Sequence, residues 1–279
     1  GHPIIFVHEF AADHREWETQ VRFFSRNYRC IAFNARGYPP SDVPEDDAAY
    51  GQTHATDDIA AVLKHLGIAK AHVVGLSQGA FATLHFGLRY PQMATSLVVA
   101  GGGSGAPKAE REVFRKQCEA SADRFLKDGS ATLAQAMGVG PSRVQLLIKD
   151  PRGWQEFVNH LSEHSAKGSA MTLRNYQAIR PSLYDLEADL AKLTVPTLLV
   201  CGDEDDGCLD ANIFLKRTIP SAGLWMVPRT GHAVNLEEPE AFNRNVQEFF
   251  SIVERGKWTT RDPRTLAGGG GLIGSRTRS

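Results

Sequence analysis

Residues 71–86, AHVVGLSQGAFATLHF, change character in the middle. The first part is a short continuous apolar run, the profile of a strand buried on both faces; the second carries apolar side chains at helical spacing. Ser77 stands at the junction, with Gly75 two residues before it and Gly79 two after. A strand that turns at once into a helix presses backbone against backbone, so the flanking positions must be small and the hydroxyl is lifted above the sheet edge. The next N–H opens a helix, where negative charge is favoured. Such a junction requires a strand–helix unit of a parallel sheet and reads as the seat of a nucleophile.

The same alternation runs through the rest of the chain. Apolar runs at 3–8 (PIIFVH), 29–33 (RCIAF), 72–74 and 96–100 predict strands, and 57–66 and 78–90 predict helices. From 101 to 184 there is no strand signal, only amphipathic segments punctuated by Gly and Pro. Val113, Phe114, Cys118, Ala122, Phe125 and Leu126 mark one apolar stripe there, and Trp154, Phe157, Val158 and Leu161 another. Strands return at 197–201 and 224–227, and a helix over 239–253 closes the pattern. These elements predict the α/β class, a mostly parallel, doubly wound sheet carrying an inserted helical domain. The expected divisions are 1–101 and 187–256 for the two parts of the core, 102–186 for the insertion, and 257–279 for a glycine-rich flexible tail.

A formal net charge of −1 leaves no basic field for nucleic acid, and no apolar run reaches membrane-spanning length. The cysteines, Cys30, Cys118, Cys201 and Cys208, are too scattered for a disulfide framework and read as reduced thiols of a cytoplasmic protein. Gly101, Gly103 and Ala106 fit the spacing of a dinucleotide fingerprint, but no strand follows to complete the unit. The glycines are therefore read as the exit from the sheet into the insertion, and no cofactor is expected.

Five stretches resemble landmarks of the α/β-hydrolase family in the family's order, over residues 3–253: FVHEF, NARGYPPSD, VVGLSQGA, VPTLLVCGDEDD and TGHAVNLEEPEAF. The resemblance implies a Ser–Asp–His triad in that chain order. Ser77 would be the nucleophile. His232, after Gly231 in the loop before the last helix, would be the base, and Asp205, at Gly-x-x-Asp spacing from Gly202, the acid. Phe10 and Gln78 would supply the oxyanion-hole N–H groups. Glu9 stands where the family usually has Gly, and Asn34 where it has Asp. Only a backbone N–H is needed at that turn, so the Glu9 side chain is expected to point elsewhere. The family's first two strands have no counterpart before Pro3, as a trimmed N-terminus would leave it.

The insertion would form a cap over Ser77, with Met137, Trp154, Phe157, Met171 and Tyr176 as candidate lining residues. The expected activity is hydrolysis of a small carboxylic ester or lactone through an acyl-enzyme, with no metal, no nucleic acid and no membrane involved, and a homodimer left open. Dehalogenases and epoxide hydrolases of similar shape use an aspartate at the elbow, which Ser77 argues against. Carbon–carbon hydrolases of vinylogous diketones use the same triad; Ala233, where many of them carry an aromatic residue, counts against that reading. A ligand-binding protein with a relic triad is the rival of another class.

Overall fold

The computed structural model describes residues 1–265. Its six strands are β1 (Pro3–Val7), β2 (Arg29–Phe33), β3 (Ala71–Leu76), β4 (Ala94–Ala100), β5 (Thr197–Gly202) and β6 (Ala222–Val227). They form one sheet in the order β2-β1-β3-β4-β5-β6 with every neighbouring pair parallel. The helices are α1 (Glu18–Phe24), α2 (Gln52–His65), α3 (Gln78–Arg89), α4 (Arg111–Gly138), α5 (Val144–Lys149), α6 (Pro151–Ser162), α7 (Ala166–Thr172), α8 (Glu187–Leu190), α9 (Asp206–Thr218), α10 (Val234–Glu237) and α11 (Pro239–Glu254).

Strand side chains alternate strictly between two cores. Ile5, Val7, Val73, Leu97, Val99 and Leu199 pack with α2, α3 and α9 through residues such as Ile59, Leu63, Leu84 and Leu215. Ile4, Phe6, Val74, Val98, Leu198 and Val200 point the other way, to Trp17, Phe24, Phe242, Val246 and Phe250, drawing on α1 and α11. Burial on both faces is why these strands read as unbroken apolar runs rather than alternating ones.

Between Ala100 and Thr197 the described residues form helices and no strand. Helix α4 breaks at Gly129, whose φ of 78° is left-handed. Its apolar stripe is narrower than the sequence suggests. Phe114, Cys118, Ala122 and Phe125 turn inward at helical spacing, whereas Val113 and Leu126, 57% and 52% exposed, fall off that line and face solvent. The expected tail begins with a docked stretch. The Trp258 indole donates to the Ser221 carbonyl at 2.7 Å and its ring meets Phe249 edge-on. The remainder, from residue 266, lies outside the described residues.

The junction after β3 is as tight as the sequence implies. A Cβ on Gly79 would lie 2.0 Å from the Val7 carbonyl oxygen, and one on Gly75 would lie 2.2 Å from the Gly79 carbonyl oxygen. These obstacles are backbone atoms of β1 and α3, which cannot rotate away. Gly79→Ala should therefore lower stability by about 3 kcal/mol, the upper end for overpacking. Gly67→Ala, with open space around its Cβ but a φ of 67°, should cost only about 1 kcal/mol. Thermal or urea denaturation of the two variants side by side checks the difference; equal losses would mean the elbow can relax.

Candidate active site

The carboxyl ends of β1, β3, β5 and β6 open on one edge of the sheet, and four loops there converge. Ser77 follows β3 with φ 53° and ψ −110°, a left-handed backbone that costs a non-glycine residue about 1–3 kcal/mol. The strain is held by its neighbours: the Ser77 N–H donates to the Ala100 carbonyl at 2.8 Å, and the Phe81 N–H closes the first helical turn on the Ser77 carbonyl at 3.1 Å. Gln78 is the first residue of α3, so its N–H lies at the positive end of the helix dipole.

Asp205 leaves β5 by a tight turn, its N–H donating to the Gly202 carbonyl at 3.2 Å. Gly202 lets the histidine loop pass close by, since a Cβ there would lie 2.1 Å from the Thr230 carbonyl oxygen. Asp203, Glu204, Asp206 and Asp210 are exposed, and Asp205 alone among these acids is buried. It meets His232 at 2.7 Å between Oδ2 and Nδ1. Burial by itself would push the Asp205 carboxyl up, but the charge and hydrogen bond of His232 hold it below the usual carboxylate range. An ionised Asp205 accepts only, so Nδ1 carries the proton and Nε2 of the neutral imidazole is left as a base.

A second carboxylate fixes the histidine loop. Glu237 on α10 is buried and accepts from the Gly231 N–H at 2.7 Å and the Ala233 N–H at 3.2 Å, the two amides that bracket His232. The loop between β1 and α1 is anchored by His8. Its Nε2 accepts from the Ala35 N–H at 2.9 Å, which leaves Nδ1 to donate to the Glu9 carbonyl at 2.7 Å. Burial pulls its pKa down to about 4, so His8 stays a neutral strut. Tyr38 completes the anchoring by donating its hydroxyl to the Phe10 carbonyl at 2.8 Å.

Glu9 does not point elsewhere. Its side chain is 2% exposed, with Oε2 3.8 Å from His232 Nε2 and Oε1 ion-paired to Arg143. Arg143 lies in the insertion just before α5, is equally buried, and stacks over the Phe157 ring at 4.7 Å. A carboxylate can sit in this interior because the insertion brings its counter-ion. Glu16 adds a second buried carboxyl, accepting from the Glu9 N–H at 3.2 Å; burial and then the Glu9 charge push its pKa well up, favouring its neutral form.

Ser77, Asp205, His232, Glu9, Phe10 and Arg143 line one cavity of about 320 Å³ between the sheet edge and the insertion. Of the five candidate lining residues, Met137 lies there. Trp154 and Phe157 pack in a separate cluster with Ala12, Leu146 and Leu161, and Trp154 donates its indole N–H to the Gly138 carbonyl at 2.6 Å. Met171 is buried away from the cavity, and Tyr176 turns beneath the elbow to donate to the Gln78 carbonyl at 3.1 Å. Their apolar faces are used in helix packing, and the apolar part of the cavity wall comes from Phe10, Phe114, Phe125, Met137 and Leu173, with Arg143, Arg180, Gln177 and serines set among them. Gln177 also ties the insertion to the elbow, its side-chain amide donating to Gln78 Oε1 at 2.8 Å. Arg143, Glu237 and Arg180 carry no signal in their local sequence that distinguishes them from surface charges. Glu9 did carry a signal, its departure from the family's pattern.

Asp205, Cys208 and His232 each bring one possible ligand atom within 4.8 Å of the others. These donors are already engaged. Burial keeps the Cys208 thiol protonated, donating to the Gly101 carbonyl at 3.4 Å, and His232 Nδ1 is used by Asp205.

Residues 2–239 match the family described as alpha/beta hydrolase fold. The chain belongs to this family. Among its relatives is the 2-hydroxy-6-oxo-6-phenylhexa-2,4-dienoate hydrolase of Burkholderia cepacia, 28% identical over 90% of this chain and 88% of that one. The 3-oxoadipate enol-lactonase 1 of Acinetobacter baylyi is 26% identical over 90% of this chain and 88% of its own length. Among solved structures, MenH from S. aureus superposes with a TM-score of 0.83 over 91% of this chain and 94% of that one, at 19% identity, a likeness of fold.

Burial alone would lower the His232 pKa, but the charge and hydrogen bond of Asp205, with the charge of Glu9 added, outweigh burial and the opposing charge of Arg143 and raise it. The stability that this contributes is full below the ordinary histidine value of about 6.5 and is lost as pH rises through the raised value. Glu9→Gln removes one raising charge and frees Arg143 to oppose more strongly, so both effects have the same sign. Followed by NMR, the His232 titration should have its midpoint above 6.5 in the wild type and at lower pH in Glu9→Gln. An unmoved midpoint would mean that Glu9 does not act on the base.

Proposed function

We propose that this α/β hydrolase is a serine hydrolase of carboxylic esters or lactones. The observation that carries the reading is the strained Ser77 on its elbow, sharing a cavity with a His232–Asp205 pair held at 2.7 Å. Ser77 Oγ attacks the carbonyl carbon as His232 Nε2 takes its proton. The N–H groups of Phe10 and Gln78 hold the oxyanion, the latter reinforced by the α3 dipole. Collapse expels the alcohol, which receives the proton from His232. Water, activated by the same nitrogen, then releases the acid. The helical insertion acts as the cap that closes the site, and the relative that is an enol-lactonase supports hydrolysis of a cyclic ester.

A second reading is carbon–carbon hydrolysis of a vinylogous diketone. It is favoured by the dienoate hydrolase relative and by the polar groups of Arg143, Arg180 and Gln177, which stand in the cavity wall beside Phe10, Phe114, Phe125 and Met137. That reaction must stabilise a carbanion-like leaving group, for which polar groups are needed. Ester hydrolysis needs no residue beyond those already named, and remains the stronger reading.

Short-chain aryl esters should be turned over, and Ser77→Ala should lower kcat by about 10⁶-fold while the melting temperature holds or rises as backbone strain is relieved. Near-normal activity in that variant would end the serine reading. Asp205→Asn should lower kcat by about 10⁴-fold, with Asp203→Asn and Asp206→Asn far milder. A vinylogous diketone assayed in parallel decides between the two reactions: a specificity constant above that of the best ester would move the assignment to carbon–carbon cleavage.

A further inference from the structure

The cavity wall contains five residues that carry or can carry charge, and four of them are matched. Glu9 pairs with Arg143, and Asp205 with His232. Arg180 is left over. It follows α7 in the insertion and is 3% exposed. Its Nη2 donates to the Ser104 carbonyl at 2.7 Å, and its guanidinium lies 3.6 Å from the centre of the Phe81 ring and 5.4 Å from that of Phe114. Nε and Nη1 are buried with no hydrogen-bond partner among the described residues.

Arg180 lines the Ser77 cavity and also borders a second cavity with His85, Pro181 and Leu186; its guanidinium contacts lie on the Ser77 side. Ser104 and Phe114, which hold the guanidinium, line the same cavity as Ser77, Asp205 and His232. The backbone of Arg180 is fixed from outside by Arg111, whose Nη2 donates to the Arg180 carbonyl at 2.6 Å. Burial pulls its pKa down to about 10, which still leaves it a cation at neutral pH. A buried cation with unused donors and no facing carboxylate is costly unless something anionic answers it. An aromatic face compensates part of that cost but takes up none of the N–H donors.

We propose that Arg180 is a carboxylate-binding residue of the Ser77 cavity, so that the ester or lactone processed there carries a free carboxylate. This rests on the hydrolase reading above. Charge-assisted hydrogen bonds from Nε and Nη1 would hold the anion and set which end of the substrate faces Ser77. A neutral ester of the same size would enter the cavity but leave these donors unanswered. Discrimination of this kind, against an analogue that lacks the matching polar group, is stronger than discrimination by shape alone.

The test uses matched pairs. Mono-para-nitrophenyl glutarate is compared with para-nitrophenyl pentanoate, and para-carboxyphenyl acetate with para-tolyl acetate, placing the carboxylate on the acyl or the leaving side. In the wild type, the anionic member of at least one pair should have kcat/KM about tenfold or more above its neutral partner, mostly through KM. Arg180→Gln should erase that ratio, and Arg180→Lys, which keeps the charge, should retain part of it. Ratios at or below one for both pairs in the wild type overturn the proposal while leaving ester hydrolysis standing. If no ester is turned over at all, calorimetry with phenylacetate against phenylacetamide decides separately. Preferential binding of the anion that Arg180→Gln loses supports the carboxylate site, and equal binding of the two overturns it.

Discussion

Everything at the sheet edge depends on how closely α3 starts beneath the end of β1. Two glycines permit it, and nothing larger fits against the carbonyls of Val7 and Gly79. That closeness forces Ser77 into a left-handed backbone and sets the first N–H of α3 beside the loop that carries Glu9 and Phe10. The strain at one residue is repaid by burial across both faces of the sheet, so the elbow is part of the architecture and not an ornament on it. The other loops follow the same rule. Gly202 allows the acid and histidine loops to touch through their backbones, and Asp205 and His232 then meet at 2.7 Å without long side chains.

Electrostatics around His232 come from more than Asp205. His232 has Asp205 on one ring nitrogen and Glu9 near the other, and Arg143 balances the second carboxylate. Glu237 does a mechanical job, gripping the amides on either side of the histidine. His232 is held by one acid, clamped by a second and tuned by a third.

Much of this was legible in the chain and some was not, for physical reasons. All six strands were visible: burial on both faces makes the four inner ones continuously apolar, and the edge strands β2 and β6, only partly buried, still carry short apolar runs. The elbow was visible because its geometry demands glycines at fixed offsets, and Asp205 because a short turn after β5 fixes its spacing from Gly202. Helices α1 and α9 were passed over: α1 is only seven residues long, and α9 opens in the acidic run after β5, which reads as a loop. Glu9 was misjudged because its counter-ion lies in a distant part of the chain, where no local pattern announces it. Trp154, Phe157, Met171 and Tyr176 lie outside the cavity, and an apolar side chain on an amphipathic helix looks the same in sequence whether it meets a neighbouring helix or a cavity. Arg180 and Glu237 were invisible as buried charges, since the sequence records their charge but not their surroundings.

The ion pair between Glu9 and Arg143 joins the sheet edge to the helical insertion. An insertion that only shapes a cavity can change its residues without disturbing the sheet edge. Here that freedom is interrupted at one position. A change at Arg143 would strand the Glu9 carboxylate beside His232, and would call for a change of Glu9 as well. The two residues are therefore coupled: losing either one alone leaves the other's charge buried without its partner.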